Sequence, residues 1–132
     1  PEKHRLPTTT GTILMQDPAT GRVCCILDGT YLTAVRTGAA SGVATRYLAR
    51  SEPHQSAGIF GAGVQARMQL EAVREVRQLA KAYVYDLNPE AARRFAGEMS
   101  TKLDLEIVPV ASAGPDPRSA ARGGTCRLCN LV

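Results

Sequence analysis

Ala57-Gly58-Ile59-Phe60-Gly61-Ala62-Gly63-Val64-Gln65-Ala66 decides the fold, together with Asp86 at the close of Ala82-Tyr83-Val84-Tyr85-Asp86. The stretch reads as a strand, a glycine turn, a helix, a second strand and then an acid. Gly61 permits the tight turn, Gly63 removes the side chain that would block a pyrophosphate, and Ala66 lets the helix lie close to the sheet. Asp86 falls about 25 residues after Gly61, near the spacing at which a carboxylate reaches the hydroxyls of an adenine ribose. The amides that open a helix suit phosphate. The bland alternative is a structural turn in an α/β protein with a surface aspartate. The strand before, the amphipathic helix after and the terminal acid together favour a dinucleotide. Asp86 argues for NAD over NADP, because its charge repels a 2′-phosphate. The nearest arginine beyond it is Arg93, a helix turn or two on.

Downstream, about Val64 to Ala80 is a helix burying Ala66, Leu70, Val73, Val76 and Ala80. It exposes Arg67, Glu71, Arg74, Glu75 and Gln78, with Arg67 and Glu71 at helical pair spacing. Asn88 and Pro89 start the next helix as cap and first residue, with Ala92, Phe95, Ala96 and Met99 as its apolar face. Leu105-Glu106-Ile107-Val108-Pro109-Val110 reads as a third strand. Residues 56–112 are therefore β-α-β-α-β, the first half of a Rossmann doubly wound parallel sheet. Residues 113–132 lose all periodicity and are expected to be irregular, a tail not native to the fold.

Upstream, Thr12 to Gln16 and Arg22 to Asp28 flank Asp17-Pro18-Ala19-Thr20-Gly21 and form a β-hairpin. Tyr31 to Arg50 is helical, with Thr30 as its cap. Leu32, Val35, Ala39, Ala40, Val43, Ala44, Tyr47 and Leu48 follow the helical period. Thr37-Gly38-Ala39-Ala40-Ser41-Gly42 holds only small side chains. Each glycine costs a helix about 1 kcal/mol against alanine, which makes sense where another backbone or a ligand comes close.

Size and composition limit the rest. A chain of 132 residues builds one core and not two comfortable domains. No apolar run reaches the roughly 20 residues of a membrane span, and Pro1-Glu2-Lys3-His4-Arg5 leads into no apolar leader, so the cytoplasm is expected. The net charge of +4 is mild and aromatics make up only 5%, which argues against nucleic-acid binding. The chain begins at Pro1 without a Met, which fits a fragment or a processed form.

Three further candidates stand beside the glycine turn. On a helical wheel Arg36 falls among Leu32, Ala39, Ala40 and Val43, where a charge needs a partner. An anionic ligand gripped in bidentate fashion and an internal salt bridge or snorkelling side chain are equally good answers. Thr8, Thr9 and Thr10 form a polar loop, or offer hydroxyls to a ligand. His4 and His54 lie in loops without metal-ligand neighbours, and no metal site is expected. Cys24 and Cys25 are adjacent in a strand and read as small hydrophobes. Cys126-Arg127-Leu128-Cys129 has neither the further ligands of a zinc site nor the strand-to-helix setting of a redox motif.

In order along the chain stand Leu6-Pro7-Thr8, the hairpin with Thr20-Gly21, Asp28-Gly29-Thr30-Tyr31-Leu32-Thr33-Ala34-Val35-Arg36-Thr37-Gly38-Ala39-Ala40-Ser41, and Gly61-Ala62-Gly63-Val64-Gln65-Ala66. Over about residues 6 to 112 this resembles the ornithine cyclodeaminase / archaeal alanine dehydrogenase / mu-crystallin family. The resemblance implies that residues 1–50 end a substrate-binding and dimerisation domain, hairpin plus crossing helix, ahead of an NAD(P)-binding Rossmann domain. It implies cofactor contacts at Thr8, Val64, Gln65 and Asp86, and contact of Arg36 with substrate carboxylate and cofactor.

The implied chemistry is hydride transfer from the α-carbon of a small amino acid to NAD, giving an imine. Ornithine would then cyclise to proline with loss of ammonia, or alanine would hydrolyse to pyruvate. A homodimer is implied for the full-length parent. The alternative is a non-enzymatic, mu-crystallin-like holder of NAD(P) or a small ligand. The family's catalytic lysine and aspartate match nothing in this chain, so the resemblance implies that the chain alone is inactive and that the catalytic residues are unknown. A truncated or frame-shifted product fits the loss of pattern after Ser112. Half a sheet would leave an open edge and exposed apolar surface, favouring low stability or aggregation.

Overall fold

The computed structural model describes residues 10–50 and 55–112, with the backbone of 125–129. Thr8, Thr9, His4 and His54 lie outside these residues, as do 113–124. The chain divides into two units, Pro1–Arg36 and Thr37–Val132.

In the first unit, β1 (Thr12–Gln16) and β2 (Val23–Asp28) pair antiparallel, with Leu14 opposite Ile26 and a register shift at Met15/Gln16. The turn closes as the sequence requires. Asp17 accepts the Gly21 amide on its carbonyl at 2.8 Å and the Ala19 amide on its carboxylate at 2.8 Å. Helix α1 (Gly29–Leu48) follows without a break. Its cap is Asp28, whose carboxylate accepts the Thr30 amide at 2.8 Å. Thr30, expected in that role, instead accepts the Gly11 amide at 3.0 Å. The cap falls to Asp28 because Gly29 already has helical geometry, which places Thr30 inside the helix.

The α1 face also differs from expectation. Its buried positions are Gly29, Ala34, Gly38, Gly42 and Thr45, while Leu32, Ala39, Ala40, Val43, Tyr47 and Leu48 are exposed. Arg36 lies on the exposed side with them, so burial does not demand a partner for it. Small residues win the inner face because they allow closer backbone packing. A β-carbon on Gly38 would stand 2.6 Å from the Met68 carbonyl oxygen, and one on Gly42 would stand 3.0 Å from Ala72.

The second unit carries a sheet of β3 (Gln55–Phe60), β4 (Leu79–Tyr85), β5 (Ile107–Pro109) and β6 (Thr125–Cys129). The order is β5-β4-β3-β6, and every pair is parallel. Helix α2 (Val64–Val76) links β3 to β4, and α3 (Pro89–Leu103) links β4 to β5. Leu70 and Val73 of α2 and Phe95, Ala96 and Met99 of α3 close the core over Ala57, Ile59, Ala82, Val84 and Ile107. Asn88 caps α3 through the Glu90 amide at 3.0 Å, with Pro89 at its first turn, as the sequence predicts.

Two boundaries move. Helix α2 stops at Val76, not Ala80, and Ala80 is an exposed residue of β4. The strand begins early because Leu79 is needed opposite Gln55 in the parallel ladder. Segment 125–129, expected to be irregular, is a strand with Ala57 opposite Cys126 and Phe60 opposite Cys129. It covers the edge of β3 that half a sheet would have left open. The CxxC cysteines are thus strand positions.

Arg77 is the residue that stops α2. Its guanidinium donates to the carbonyls of Thr45 at 3.0 Å, Arg46 at 3.0 Å and Ala49 at 3.2 Å, capping the C-terminus of α1. Cations suit that end of a helix. Arg77→Ala is expected to cost about 2 kcal/mol, because charged hydrogen bonds to helix-end carbonyls disappear together. Urea unfolding measures it, and an unchanged midpoint would contradict it.

Candidate functional site

Sheet order places the site. Strand β3 is followed by α2 toward β4 on one side, while β6 lies on the other, so the order reverses between β3 and β6. Ligands of open α/β sheets enter at such a reversal, outside the carboxyl ends of the strands. The glycine turn sits there, directly after Phe60.

Gly61 has φ of 90°, a left-handed value that favours glycine. Its amide donates to the Tyr85 carbonyl at 2.8 Å, tying the turn to the end of β4. The next amide, of Ala62, donates to the Asp86 carboxylate at 2.7 Å. The other Asp86 oxygen accepts the Asn88 amide at 2.8 Å. The structure thus brings Gly61, Gly63, Val64, Gln65 and Asp86 together at one sheet end. Each Asp86 oxygen still has an open lone pair, since a carboxylate offers about four acceptor sites.

Gly63 is informative in a different way. Its φ of −79° and ψ of −171° suit any residue, and a β-carbon there would meet nothing within 4 Å. Neither backbone geometry nor packing among the described residues requires glycine at 63. The space beside it is the cradle that a side chain would fill. Helix α2 has no side-chain cap and no acid in its first turn. Its opening N–H groups therefore have no intrahelical acceptor and face an anion with the favourable end of the helix dipole. A dinucleotide fits these residues: pyrophosphate at the opening of α2, ribose at Asp86.

Arg36 belongs to the first unit and is exposed on α1. Thr8 lies outside the described residues. Among the described residues no group of three His, Cys, Asp or Glu could hold a metal, and no helix is long and apolar enough to cross a membrane.

Arg67 was missed as a site residue. The sequence pairs it with Glu71 along α2, but both reach across to α3 instead. Arg67 binds Glu98, and Glu71 binds Lys102. The signal was present in the charge order: Arg67/Glu71 on α2 mirrors Glu98/Lys102 on α3, each pair four residues apart, as two parallel neighbouring helices require. Arg67 holds the Glu98 carboxyl below its ordinary range, first by hydrogen bond and then by charge. A carboxyl lowered on folding adds stability above its unfolded value and loses it as pH falls through the folded value. Acidification below the carboxylate range is therefore expected to lower the Tm of the wild type more steeply than that of Glu98→Gln. Circular dichroism melts across that range check it, and equal slopes would contradict it.

Four parallel strands with a glycine turn after the first and an acid after the second define the class: the leading half of a doubly wound Rossmann sheet. The chain belongs to the ornithine cyclodeaminase/mu-crystallin family, whose model matches residues 1–120. Strand β6 lies beyond that match. A Δ1-pyrroline-2-carboxylate reductase from Thermococcus litoralis, solved with NADH and L-proline, superposes with a TM-score of 0.81 at 52% identity, covering 96% of this chain and 38% of that one. An archaeal alanine dehydrogenase dimer with bound NAD gives a TM-score of 0.75 at 34% identity, covering 83% of this chain and 33% of that one. The L-lysine cyclodeaminase of Streptomyces rapamycinicus is 37% identical over 113 residues, 85% of this chain and 33% of the relative. The chain thus spans about a third of the length of these relatives.

Proposed function

We propose that this chain supplies the adenine-nucleotide half of an NAD site in an amino-acid oxidoreductase or cyclodeaminase. One observation carries the reading: the cradle at Gly63, between the uncapped start of α2 and the Asp86 carboxylate. The reductase solved with NADH and L-proline and the alanine dehydrogenase solved with NAD support it.

The roles follow from chemistry. The Gly63, Val64 and Gln65 amides receive the pyrophosphate, and the missing side chain at Gly63 lets it approach the backbone. The open lone pairs of Asp86 accept ribose hydroxyls, and its charge disfavours a 2′-phosphate. Arg36 is exposed and free of a burial constraint, and a guanidinium suits a substrate carboxylate in bidentate fashion. Thr8 is assigned to the cofactor. Bound NAD supplies the hydride acceptor for the α-carbon of a small amino acid, or NADH the donor to a cyclic imine. The working form is a homodimer, and the 132 residues alone bind without turnover.

The test is an assay of the complete reading frame around this chain. Proline, alanine, ornithine and lysine are each offered with NAD, and a cyclic imine with NADH. Amino-acid-dependent NAD reduction, or imine-dependent NADH oxidation, is expected. Tight NAD binding without turnover of any of them would replace this reading with that of a non-enzymatic ligand holder.

A further inference from the structure

We infer that Arg67 is a positioning residue that orients the phosphate-binding amides of the glycine turn from behind. The inference rests on the NAD reading above and adds a side chain to it. Arg67 sits one turn into α2, and its guanidinium reaches back to donate to the Ala62 carbonyl at 2.6 Å and the Gly63 carbonyl at 3.1 Å.

A peptide group is planar and trans, so its N–H points opposite to its C=O. Holding the Ala62 carbonyl toward Arg67 turns the Gly63 N–H away from it. Holding the Gly63 carbonyl turns the Val64 N–H away likewise. These are the two amides at the mouth of α2, which has no side-chain cap to orient them. On the other side, the Ala62 amide is fixed by Asp86 and the Gly61 amide by Tyr85. The turn is therefore pinned at four backbone atoms, two of them by one side chain.

The guanidinium is itself held. Glu98 of α3 takes its Nε and Nη2, and the Phe95 ring lies 5.1 Å below it. Phe95 is fully buried, so the platform is rigid. Five donors in a planar fork serve two carbonyls and one carboxylate at once, which a lysine cannot do. The ion pair also offsets the arginine's charge, so that its contribution to the ligand is geometric.

A general structural role and a positioning role separate by ligand. ADP-ribose uses the turn amides; adenosine uses only the Asp86 side of the site. The wild-type chain, Arg67→Ala, Arg67→Lys and Glu98→Gln are titrated with NAD, ADP-ribose and adenosine by ligand-observed NMR, with circular dichroism as the fold check. Arg67→Ala is expected to weaken NAD and ADP-ribose about tenfold or more, leaving adenosine unchanged. Arg67→Lys is expected to recover part of the loss, since one ammonium can still serve a carbonyl. Glu98→Gln is expected to weaken NAD less than Arg67→Ala does, because the carbonyl bonds remain while one hold on the guanidinium loosens.

Unchanged NAD affinity in a folded Arg67→Ala chain would overturn the inference. So would equal losses of NAD and adenosine. Should Arg67→Ala fail to fold, the ratio of ADP-ribose to adenosine affinity in Arg67→Lys decides: lowered in favour, unchanged against. A wild-type chain that binds adenosine but not NAD would overturn the NAD reading itself, a result distinct from either.

Discussion

Gly63→Ala is expected to leave thermal stability unchanged and to weaken NAD binding on the order of 100-fold, about 2.7 kcal/mol. The two halves of this expectation come from one position. A β-carbon at 63 meets no atom of the described residues within 4 Å, and the backbone there is open to any residue. Alanine is a poorer N-cap for α2 than glycine but restricts the unfolded chain, and these two small effects oppose each other. The added methyl instead enters the space where a pyrophosphate would approach the first amides of α2. A melting curve and a calorimetric titration on the same sample measure both. A fall in Tm would show that glycine serves the fold at this position. Retained affinity would show that the cradle does not hold the ligand.

Gly38→Ala is expected to do the reverse, lowering stability by about 2 kcal/mol net and shifting Tm down by roughly 8 °C or more. Two effects oppose each other. Alanine is the better helix former by about 1 kcal/mol. Against this, its β-carbon would sit 2.6 Å from the Met68 carbonyl oxygen and 2.7 Å from the carbonyl carbon. Both are backbone atoms of α2, which cannot turn aside as a side-chain tip would. The helices must part, breaking the contacts made by Gly42 and loosening the Arg77 cap. Overpacking of this kind costs about 3 kcal/mol, so the clash wins. Gly97→Ala is the internal control: it lies on the exposed face of α3 with nothing within 4 Å. There the propensity term stands alone, and a gain of up to about 1 kcal/mol is expected. Equal effects at 38 and 97, measured by urea unfolding, would contradict the packing assigned to α1.

The contrast explains what was legible in the sequence. The β-α-β-α-β order, the Asn88 cap and the meeting of the glycine turn with Asp86 were readable, because each depends on local chemistry at fixed spacing. The inner face of α1 was not. Periodicity reports where apolar residues lie, and Ala34, Gly38, Gly42 and Thr45 are buried for being small. The wheel therefore placed Arg36 on a face that the chain leaves exposed. Strand β6 was hidden because Thr125–Cys129 is only five residues long, a short run set in a stretch without periodicity, and its place is defined by the ladder along β3. Arg67 was read as a surface charge since its obvious partner, Glu71, lies on its own helix. Its real partners, Glu98 and the two turn carbonyls, needed the third dimension.

In the function proposed here the turn at Gly61–Gly63 and the carboxylate of Asp86 form the adenine-nucleotide half of an NAD site. Calorimetric titration of the chain with NAD and NADP, beside Asp86→Ser, tests it most directly. One-to-one binding of NAD is predicted, with NADP at least about tenfold weaker, and that preference is predicted to shrink or vanish in Asp86→Ser. NADP binding as tightly as NAD to the wild-type chain, or no NAD binding by a folded chain, would contradict the account.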